Sequence, residues 1–216
     1  MPKVEHVTLR FAEKLVLNDL SWEMPETGIT GMSGPSGCGK TTLFRVLAGL
    51  QKPDSGRVLG VEKGQCAFLF QEDRLLPWRT AKENIQDVLP KSRRHIAMDW
   101  LAFVELQEDG EAYPGELSGG MRRRVALARA LAYSMERLGD LAEGGRFLLM
   151  DEPFGGLDGP LKSRLIQRIR SLRVPALVIS HDPEEIRQIA DRIFYWEGPP
   201  LHMISAKDGT ADDSVG

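Results

Sequence analysis

Residues 34–41, with the sequence GPSGCGKT, combine closely spaced glycines with a lysine and a threonine. The spacing fits a phosphate-binding loop of the form GxxxxGK[ST], in which backbone N–H groups surround phosphate oxygens. Lys40 would place its charge between the outer phosphates, and the Thr41 hydroxyl could ligate Mg²⁺. A strand-like stretch precedes the loop and a helix-like stretch follows it, which is the context that the motif requires. We therefore predict a nucleotide phosphate site here rather than a glycine-rich turn.

Two adjacent carboxylates follow the apolar stretch RFLLM at residues 146–150. If this stretch is a buried strand, Asp151 lies at its C-terminal end, where open parallel sheets bind ligands. Asp151 is predicted to hold Mg²⁺ through water. Glu152 would then stand beside the γ-phosphate, where a second carboxylate can polarise an attacking water. The alternative is that Glu152 is only a polar residue at the end of a strand.

Two further polar residues follow apolar, strand-like stretches. His181 follows ALVIS at 176–180, and Gln71 follows QCAFLF at 65–70. At the same sheet edge, His181 could contact the γ-phosphate or orient the water. The Gln71 amide could accept from a metal-bound water and donate to phosphate, so Gln71 is a candidate for both the metal site and the catalytic site. Taken alone, a histidine is more often a surface or core residue, and Gln71 would be unremarkable.

The stretch LSGGMRRRVALARAL at 117–131 predicts a second anion site far from the first loop. Ser118, Gly119 and Gly120 open a predicted helix, and a helix N-terminus offers unpaired N–H groups and positive potential. A helix cap alone needs only the serine. The two glycines cost helix stability and indicate the close approach of another body. Simple capping remains the alternative.

Hydrophobic periodicity places these motifs on alternating strands and helices. Strand signals fill residues 4–33, and a helix follows at 40–50. From Thr80 to about Leu138 only helical signals occur, which predicts a helical insertion. Alternation then resumes with a strand at 146–151, a helix near 159–172, the strand ALVIS and the helix PEEIRQIA. This pattern indicates a parallel sheet flanked by helices, and the last stretch, SAKDGTADDSVG, is predicted to be a frayed tail.

The composition excludes several classes of protein. The chain has 216 residues, enough for one large domain or a domain with a small insertion, and its formal charge of −3 lacks the basic excess typical of nucleic-acid binding. The longest apolar runs, such as residues 147–150, are far shorter than the ~20 residues that span a bilayer. The N-terminus lacks an apolar signal core, so a cytosolic location is expected. Cys38 and Cys66 form no CxxC motif, which argues against disulfides and zinc.

Six motifs occur in order along the chain: GPSGCGKTT, FQEDRLLPW, LSGGM, LLMDEP, GGLD and SHD. Together they closely resemble the ATP-binding cassette of ABC transporters over roughly residues 4–197. The resemblance implies an α/β P-loop NTPase fold with a mainly parallel core sheet, an N-terminal antiparallel β part and an inserted helical subdomain. It implies a single cassette, with the nucleotide-binding core at 1–79 and 139–205, the helical subdomain at 80–138 and a tail at 206–216.

In that family two cassettes pair head to tail, and the Ser-Gly-Gly loop of each closes over ATP held by the other. The resemblance therefore implies a homodimer with ATP at the interface. It makes Glu152 the general base, His181 the switch histidine, Gln71 the link to the membrane partner and Asp158 a loop residue that signals across the dimer. Phe11 falls where an aromatic residue stacks on adenine, although a core phenylalanine is an equal alternative. The implied nucleotide-binding residues are Phe11, Gly34, Pro35, Ser36, Gly37, Cys38, Gly39, Lys40, Thr41, Thr42, Ser118, Gly119, Gly120 and Asp158, with Thr41, Gln71 and Asp151 at Mg²⁺.

The stretch QEDRLLPWRTAKENI is most similar to importer cassettes for nitrate, sulfonate, taurine and related small molecules. Leu75, Leu76, Pro77 and Trp78 are apolar in a segment expected to be exposed, which favours a groove for a permease helix. A local apolar contact within the helical insertion is the alternative. The three arginines at 122–124 are expected either to form a solvated helix start or to lie near lipid headgroups.

The expected function is the ATP-hydrolysing subunit of an importer, peripheral on the inner face of the cell membrane. Its partners would be a separate permease and, indirectly, a solute-binding protein, with no nucleic acid. The rivals are a soluble ABC ATPase without a transport role, an exporter subunit and an inactive binding module. Soluble cassettes of that kind generally resemble two fused cassettes or carry long coiled-coil insertions, and this sequence has neither. The family usually has a shorter linker than residues 133–146 and has alanine where Gly156 stands.

Overall fold

A computed structural model describes residues 2–60, 66–137 and 147–208 of the chain. The nine strands within these ranges are β1 (Lys3–Phe11), β2 (Lys14–Glu23), β3 (Ile29–Ser33), β4 (Ser55–Leu59), β5 (Cys66–Leu69), β6 (Phe147–Asp151), β7 (Ala176–Ile179), β8 (Arg192–Glu197) and β9 (His202–Asp208). The six α-helices of the same ranges are α1 (Lys40–Leu47), α2 (Ala81–Gln86), α3 (Ala97–Phe103), α4 (Gly119–Ala132), α5 (Gly159–Ser171) and α6 (Pro183–Ile189). A 3-10 helix precedes α3 at Lys91–Ile96, and a π-helical turn continues α4 at Tyr133–Arg137.

The strands form two sheets. The larger sheet has the order β5-β6-β7-β3-β8-β9, and its neighbours are parallel except for the antiparallel edge pair β8 and β9. The smaller sheet, β2-β1-β4, is antiparallel. The predicted fold class, a mainly parallel core sheet with an N-terminal antiparallel part and inserted helices, is therefore confirmed.

Each central strand contributes side chains to two cores, one on each face of the larger sheet. Successive strand residues point to opposite faces. Accordingly Leu148 and Met150 of β6 join the core beneath α4 and α5, while Phe147 and Leu149 join the core beneath α1 and the smaller sheet. All five residues of β6 are buried, as expected for a parallel strand that is covered on both faces.

Residues 80–137 contain helices, turns and loops but no strand, as their periodicity predicted. The helix α2 begins with a capping box, because the Thr80 side chain accepts from the Glu83 N–H and the Glu83 carboxylate accepts from the Thr80 N–H. None of the described helices is both long and apolar enough to cross a membrane. The predicted boundaries of the subdomains remain predictions, and most of the long linker, at 138–146, lies outside the described residues.

The first residues of the predicted tail form part of a strand instead. Residues 205–208 belong to β9, which pairs with β8 along the edge of the larger sheet. Every side chain of β9 is exposed, so main-chain hydrogen bonds rather than an apolar face hold this strand. The prediction of a frayed tail is therefore wrong for residues 205–208, and it stays a prediction for residues 209–216, which lie outside the described part of the chain.

Candidate nucleotide-binding site

The glycine-rich loop connects the C-terminal end of β3 to the first turn of α1. Two of its glycines are required by close packing as well as by backbone conformation. Gly39 has φ of 120°, and a Cβ there would lie 3.1 Å from both Val16 and Leu201 side chains. At Gly34, with φ of 156°, a Cβ would collide with the Trp196 carbonyl oxygen. Val16, Leu201 and Trp196 therefore pack against one side of the loop, and the other side is available to a ligand.

The Lys40 side chain lies inside this loop. Its Nζ donates to the Gly34 and Pro35 carbonyl oxygens at 2.7 and 2.9 Å, and it lies 3.6 Å from Cys38 Sγ. Lys40 is only 8% exposed, although it also lines the adjacent cleft. A largely desolvated ammonium held at a cleft wall is suited to binding a multiply charged anion.

Two oxygen donors meet where β6 ends beside α1. The Thr41 hydroxyl donates to Asp151 Oδ2 at 3.1 Å. Burial raises the pKa of the Asp151 carboxyl, and the hydrogen bond from Thr41 partly opposes this effect. Hydroxyl and carboxylate oxygens are ligands that Mg²⁺ prefers, and Mg²⁺ commonly takes its remaining ligands from water and phosphate. The Thr41 and Asp151 oxygens therefore fit Mg²⁺. Within the described residues, no cluster of three or more His, Cys, Asp or Glu side chains could hold a metal ion without a bound nucleotide.

Glu152 and His181 face each other across two neighbouring strands. Asp151 pairs with Ile179 in the parallel ladder between β6 and β7, so the residues that follow emerge side by side. Glu152 Oε1 accepts from the His181 backbone N–H at 2.9 Å, and Oε2 lies 2.8 Å from His181 Nδ1. Burial raises the pKa of the Glu152 carboxyl, and the electrostatic interaction and hydrogen bonds with His181 oppose this effect.

The backbone of Glu152 has φ of 53°, in the left-handed region that a residue with a side chain seldom adopts. Such a conformation costs on the order of 1–3 kcal/mol and is found preferentially at functional sites. It turns the chain sharply after Asp151 and directs the Glu152 side chain towards His181. Six other non-glycine residues of the described ranges also have a positive φ, so the functional role predicted for Glu152 depends on its hydrogen bonds with His181 rather than on this conformation alone.

These residues line one cleft of about 400 Å³. Its walls comprise Phe11, Lys14, Val16, Ser36, Gly37, Gly39, Lys40, Thr41, Thr42, Gln71, Asp151, Glu152, Ile179 and His181. The cleft therefore joins predicted residues from five separate parts of the sequence. Sequence reasoning missed Lys14, Val16 and Ile179. The pairing of Phe11 with Lys14 in the β1–β2 hairpin could have indicated the first of them.

Phe11 is 46% exposed and borders the cleft, so the alternative of a core phenylalanine was wrong. The ring leaves the core because it occupies the end of β1 at the hairpin turn. An exposed aromatic face at the cleft is available to stack on a planar ring.

Seven predicted residues lie outside the wall of this cleft. The Lys40 ammonium contacts three of them within the loop, namely Gly34, Pro35 and Cys38. The Ser118 hydroxyl caps α4 by accepting from the Met121 N–H at 3.2 Å. Asp158 likewise caps α5, because its carboxylate accepts from the Leu161 N–H at 2.9 Å. Each residue thus caps a helix and is exposed on the protein surface.

Gly119 and Gly120 line a second cleft of about 490 Å³, which also includes Gln71, Glu152 and His181. A Cβ at Gly120 would lie 3.0 Å from the Gly156 carbonyl oxygen, so this glycine permits close approach of the loop that follows β6. The predicted second anion site thus opens onto the same catalytic candidates as the first.

The prediction for the arginines at 122–124 was wrong for Arg123, which is only 4% exposed. Its guanidinium turns inward, towards Gln71 and Glu152. Burial lowers the pKa of Arg123, and the neighbouring Asp73 carboxylate opposes this effect. Helical periodicity could have predicted this burial, because Arg123 lies on the same helix face as the buried Leu127 and Leu131.

The apolar segment after Gln71 is only partly exposed. Leu75 and Leu76 are half-buried, whereas Pro77 and Trp78 are exposed, with Trp78 at 69%. The buried Asn84 side chain accepts from the Leu76 N–H at 2.8 Å and donates to the Leu76 carbonyl at 3.2 Å. The expectation of four exposed apolar residues therefore requires correction, because Asn84 holds the first half of the segment against α2.

A parallel sheet that carries this phosphate loop, two carboxylates at a neighbouring strand end and an inserted helical region defines a P-loop nucleotide-binding cassette. The family described as ABC transporter matches residues 17–155, and the chain belongs to that family.

Known proteins similar to this chain include importer subunits. The sulfate/thiosulfate import ATP-binding protein CysA of Ralstonia nicotianae is 34% identical over 95% of this chain. A probable sulfate/thiosulfate import ATP-binding protein CysA of Chlorella vulgaris is 34% identical over 97% of it. The chain spans 59% of the Ralstonia protein and 92% of the Chlorella protein. A dimeric structure of the bacterial ABC transporter cassette MJ0796 matches 98% of this chain and all of that chain, with a TM-score of 0.80 and 25% identity.

Proposed function

We propose that this chain is the ATP-hydrolysing subunit of an ABC importer. The observation that carries the proposal is the single cleft in which Lys40, Thr41, Asp151 and Glu152 meet. Phosphate binding, metal binding and activation of water each have a suitable group there. Membership of the ABC transporter family and the import function named for the relatives point the same way.

ATP would bind with its adenine against Phe11 and its phosphates in the loop of residues 34–41. Lys40 neutralises the outer phosphates. Thr41 and Asp151 would hold Mg²⁺, with the Gln71 amide nearby, and the ion would supply charge stabilisation for the β- and γ-phosphate oxygens. The remaining steps depend on the protein's own groups.

Hydrolysis is an attack by water on the γ-phosphorus, in line with the bond to the β-phosphate oxygen. Glu152 accepts a proton from this water as the new P–O bond forms, and the bond to ADP breaks. His181 lies 2.8 Å from Glu152 and can orient the carboxylate or contact the γ-phosphate. Positioning and electrostatics provide most of the rate acceleration.

Two copies of the chain would enclose two ATP molecules, with the Ser118–Gly120 loop of each copy closing over the nucleotide of the other. Ser118 and Gly119 are exposed at the start of α4, so both are available to a second subunit. The dimeric structure recorded for MJ0796 is consistent with such pairing. Asp158 is proposed to signal across this interface from its exposed position at the start of α5.

The dimer proposal predicts that Ser118→Arg prevents association. In a Glu152→Gln background, where ATP persists, MgATP should double the mass in solution, whereas the added Ser118→Arg should leave a monomer. The arginine would fill the space that the partner's γ-phosphate needs. The mass is measured by light scattering, with Glu116→Arg as a control on the exposed surface two residues earlier. A Ser118→Arg protein that still dimerises with ATP would contradict the shared site.

A permease helix is proposed to dock beside the exposed Pro77 and Trp78, with Leu75 and Leu76 forming the half-buried floor. The subunit would then lie peripherally on the inner face of the cell membrane, and a solute-binding protein would be an indirect partner. Gln71, six residues before Pro77, would link this surface to the ATP cleft.

Trp78→Ala tests this docking surface. We expect weakened co-purification with the permease and unchanged ATP binding, because Trp78 is 69% exposed and is not part of the cleft wall. Exposed Tyr113, replaced with alanine, serves as the control. Equal retention of the permease by both variants would exclude this part of the surface.

The proposed substrate class is a small anion. The Ralstonia and Chlorella relatives are named for sulfate/thiosulfate import, so they support the importer class but not the narrower resemblance of the LLPW segment to importers of nitrate, sulfonate and taurine. Choosing among these requires the permease and solute-binding protein. Uptake of solute into vesicles that depends on ATP at the face bearing this subunit would support import. Export would favour an exporter subunit, and ATP turnover without transport would favour a soluble ABC ATPase.

A further inference from the structure

Arg123 joins three segments that the proposed function uses. It occupies the second turn of α4, the helix that begins with Gly119 after the capping Ser118. Its Nη2 donates to the Asp151 and Glu152 carbonyl oxygens, the latter at 2.7 Å, and Nε also donates to the Glu152 carbonyl at 3.1 Å. One edge of the guanidinium therefore binds the main chain of Asp151 and Glu152, at the C-terminal end of β6.

The other edge binds the segment that contains Gln71. Arg123 Nη1 donates to the Phe70 carbonyl, to the Gln71 carbonyl at 3.3 Å and to Asp73 Oδ1 at 3.3 Å. All three nitrogens of the guanidinium thus have partners. Because the planar fork fixes the directions of its N–H groups, the two acceptor segments are held at a set separation.

The burial of Arg123 makes this arrangement costly to disturb. Only 4% of the residue is exposed, and the nearest compensating carboxylate, Asp73, is joined by a single contact of 3.3 Å. Main-chain carbonyls supply the remaining partners. A lysine could retain the charge but would present one nitrogen instead of a planar fork, so it could not bind both segments in the same way.

We propose that Arg123 is a positioning residue that couples the start of α4 to Gln71 and Glu152 of the same subunit. This inference rests on the proposed function. When the Ser118–Gly120 loop engages ATP bound by the partner, movement of α4 is transmitted through Arg123 to the main chain of Glu152. Each subunit thereby adjusts its own general base according to the occupancy of the other site.

A matched control lies six residues further along α4. Arg129 also donates to the loop after Gln71, at the Asp73 and Arg74 carbonyl oxygens, both at 2.9 Å. No hydrogen bond joins Arg129 to Asp151 or Glu152 within the described contacts. The two arginines therefore share a helix and a loop but differ in the link to the general base.

The experiment compares Arg123→Lys with Arg129→Lys in steady-state ATP hydrolysis and in binding of MgATP. Arg123→Lys should lower kcat by about tenfold or more while the Kd for ATP changes by less than about threefold, because a general base displaced by a fraction of an ångström loses rate rather than affinity. Arg129→Lys should retain kcat within about twofold. In the Glu152→Gln background, Arg123→Lys should still dimerise with MgATP.

The inference is overturned if Arg123→Lys retains full kcat, if it loses ATP affinity in proportion to rate, or if Arg129→Lys shows the same loss. Wild-type turnover is measured first and compared with Lys40→Ala. If wild-type turnover is no higher, the proposed function fails whatever Arg123 does.

A second measurement uses no Arg123 variant, so it tests the coupling even if the Arg123→Lys protein fails to fold. Amide hydrogen exchange of the Glu152→Gln protein is followed with and without MgATP, and with Ser118→Arg added. Relative to the ATP-bound Ser118→Arg monomer, the dimer should show slower exchange at the start of α4, at residues 71–74 and at 152–156 together, because ATP bound in the cleft acts equally on both proteins. Protection of α4 without the other two segments would contradict the coupling.

Discussion

Glu152→Gln should reduce ATP turnover by at least about a hundredfold and should trap the ATP-bound dimer. Loss of a positioned general base typically costs 10²- to 10⁴-fold in rate. The amide has nearly the same shape as the carboxylate and can still accept from the His181 N–H, which lies 2.9 Å from Oε1. It cannot accept the proton of the attacking water. Single-turnover hydrolysis and solution mass with MgATP provide the measurements.

Stability should not account for that loss. Burial raises the pKa of Glu152, so at pH values above that pKa the ionised carboxylate lowers the free energy of unfolding. This cost is absent below the unfolded pKa, grows as the pH rises from that value to the folded pKa, and is constant above it. A neutral glutamine removes it, and the thermal midpoint at neutral pH should not fall. Glu184→Gln, on the exposed surface of α6, is the control and should retain turnover within about twofold. Full turnover of Glu152→Gln would assign the general base elsewhere.

Lys40→Ala should weaken MgATP binding by about a hundredfold or more and abolish measurable turnover. Lys40 is 8% exposed, and its ammonium lies at the cleft wall beside the phosphate loop. Charge-assisted hydrogen bonds contribute about 1.5–3 kcal/mol each, and an outer phosphate can accept more than one. Alanine removes these bonds without adding bulk. Calorimetric titration with a slowly hydrolysed ATP analogue measures the loss.

Lys14 provides the matched cation for this test. It lines the same cleft but is exposed and begins β2, away from the phosphate loop. Lys14→Ala should change the Kd by less than about threefold, because solvent screens an exposed charge. Lys40 also binds the Gly34 and Pro35 carbonyls, so the thermal midpoint of Lys40→Ala is compared with that of the wild type. An equal loss of affinity in both lysine variants would mean that general positive charge, not the loop lysine, binds ATP.

Local sequence patterns were sufficient for much of this protein's organisation. The phosphate loop lies between a strand and a helix because its glycines, Lys40 and Thr41 have a spacing that specifies backbone conformation and chemistry together. The strand before Asp151 could be predicted because a continuous apolar run needs cover on both faces, and β6 is buried throughout. Both depend on interactions within a few residues, which a linear sequence records directly.

The candidate site was predictable only in part. The sequence indicated that Glu152 and His181 lie at strand ends, but their separation of 2.8 Å depends on β6 and β7 being neighbours in the sheet. Strand order is a property of the whole fold. Phe11 had two possible environments at the sequence level, and the exposed hairpin end decided between them.

The sequence by itself determined the fold class and the identity of the phosphate-binding motif, because periodicity and residue spacing encode local geometry. Only the tertiary structure decided that Arg123 is buried and binds the segments of Gln71 and Glu152 together. Residues 71, 123 and 152 are far apart in the chain, and an arginine favours water unless the fold supplies enough acceptors. Here those acceptors are main-chain carbonyls, whose positions depend on packing and not on side-chain identity.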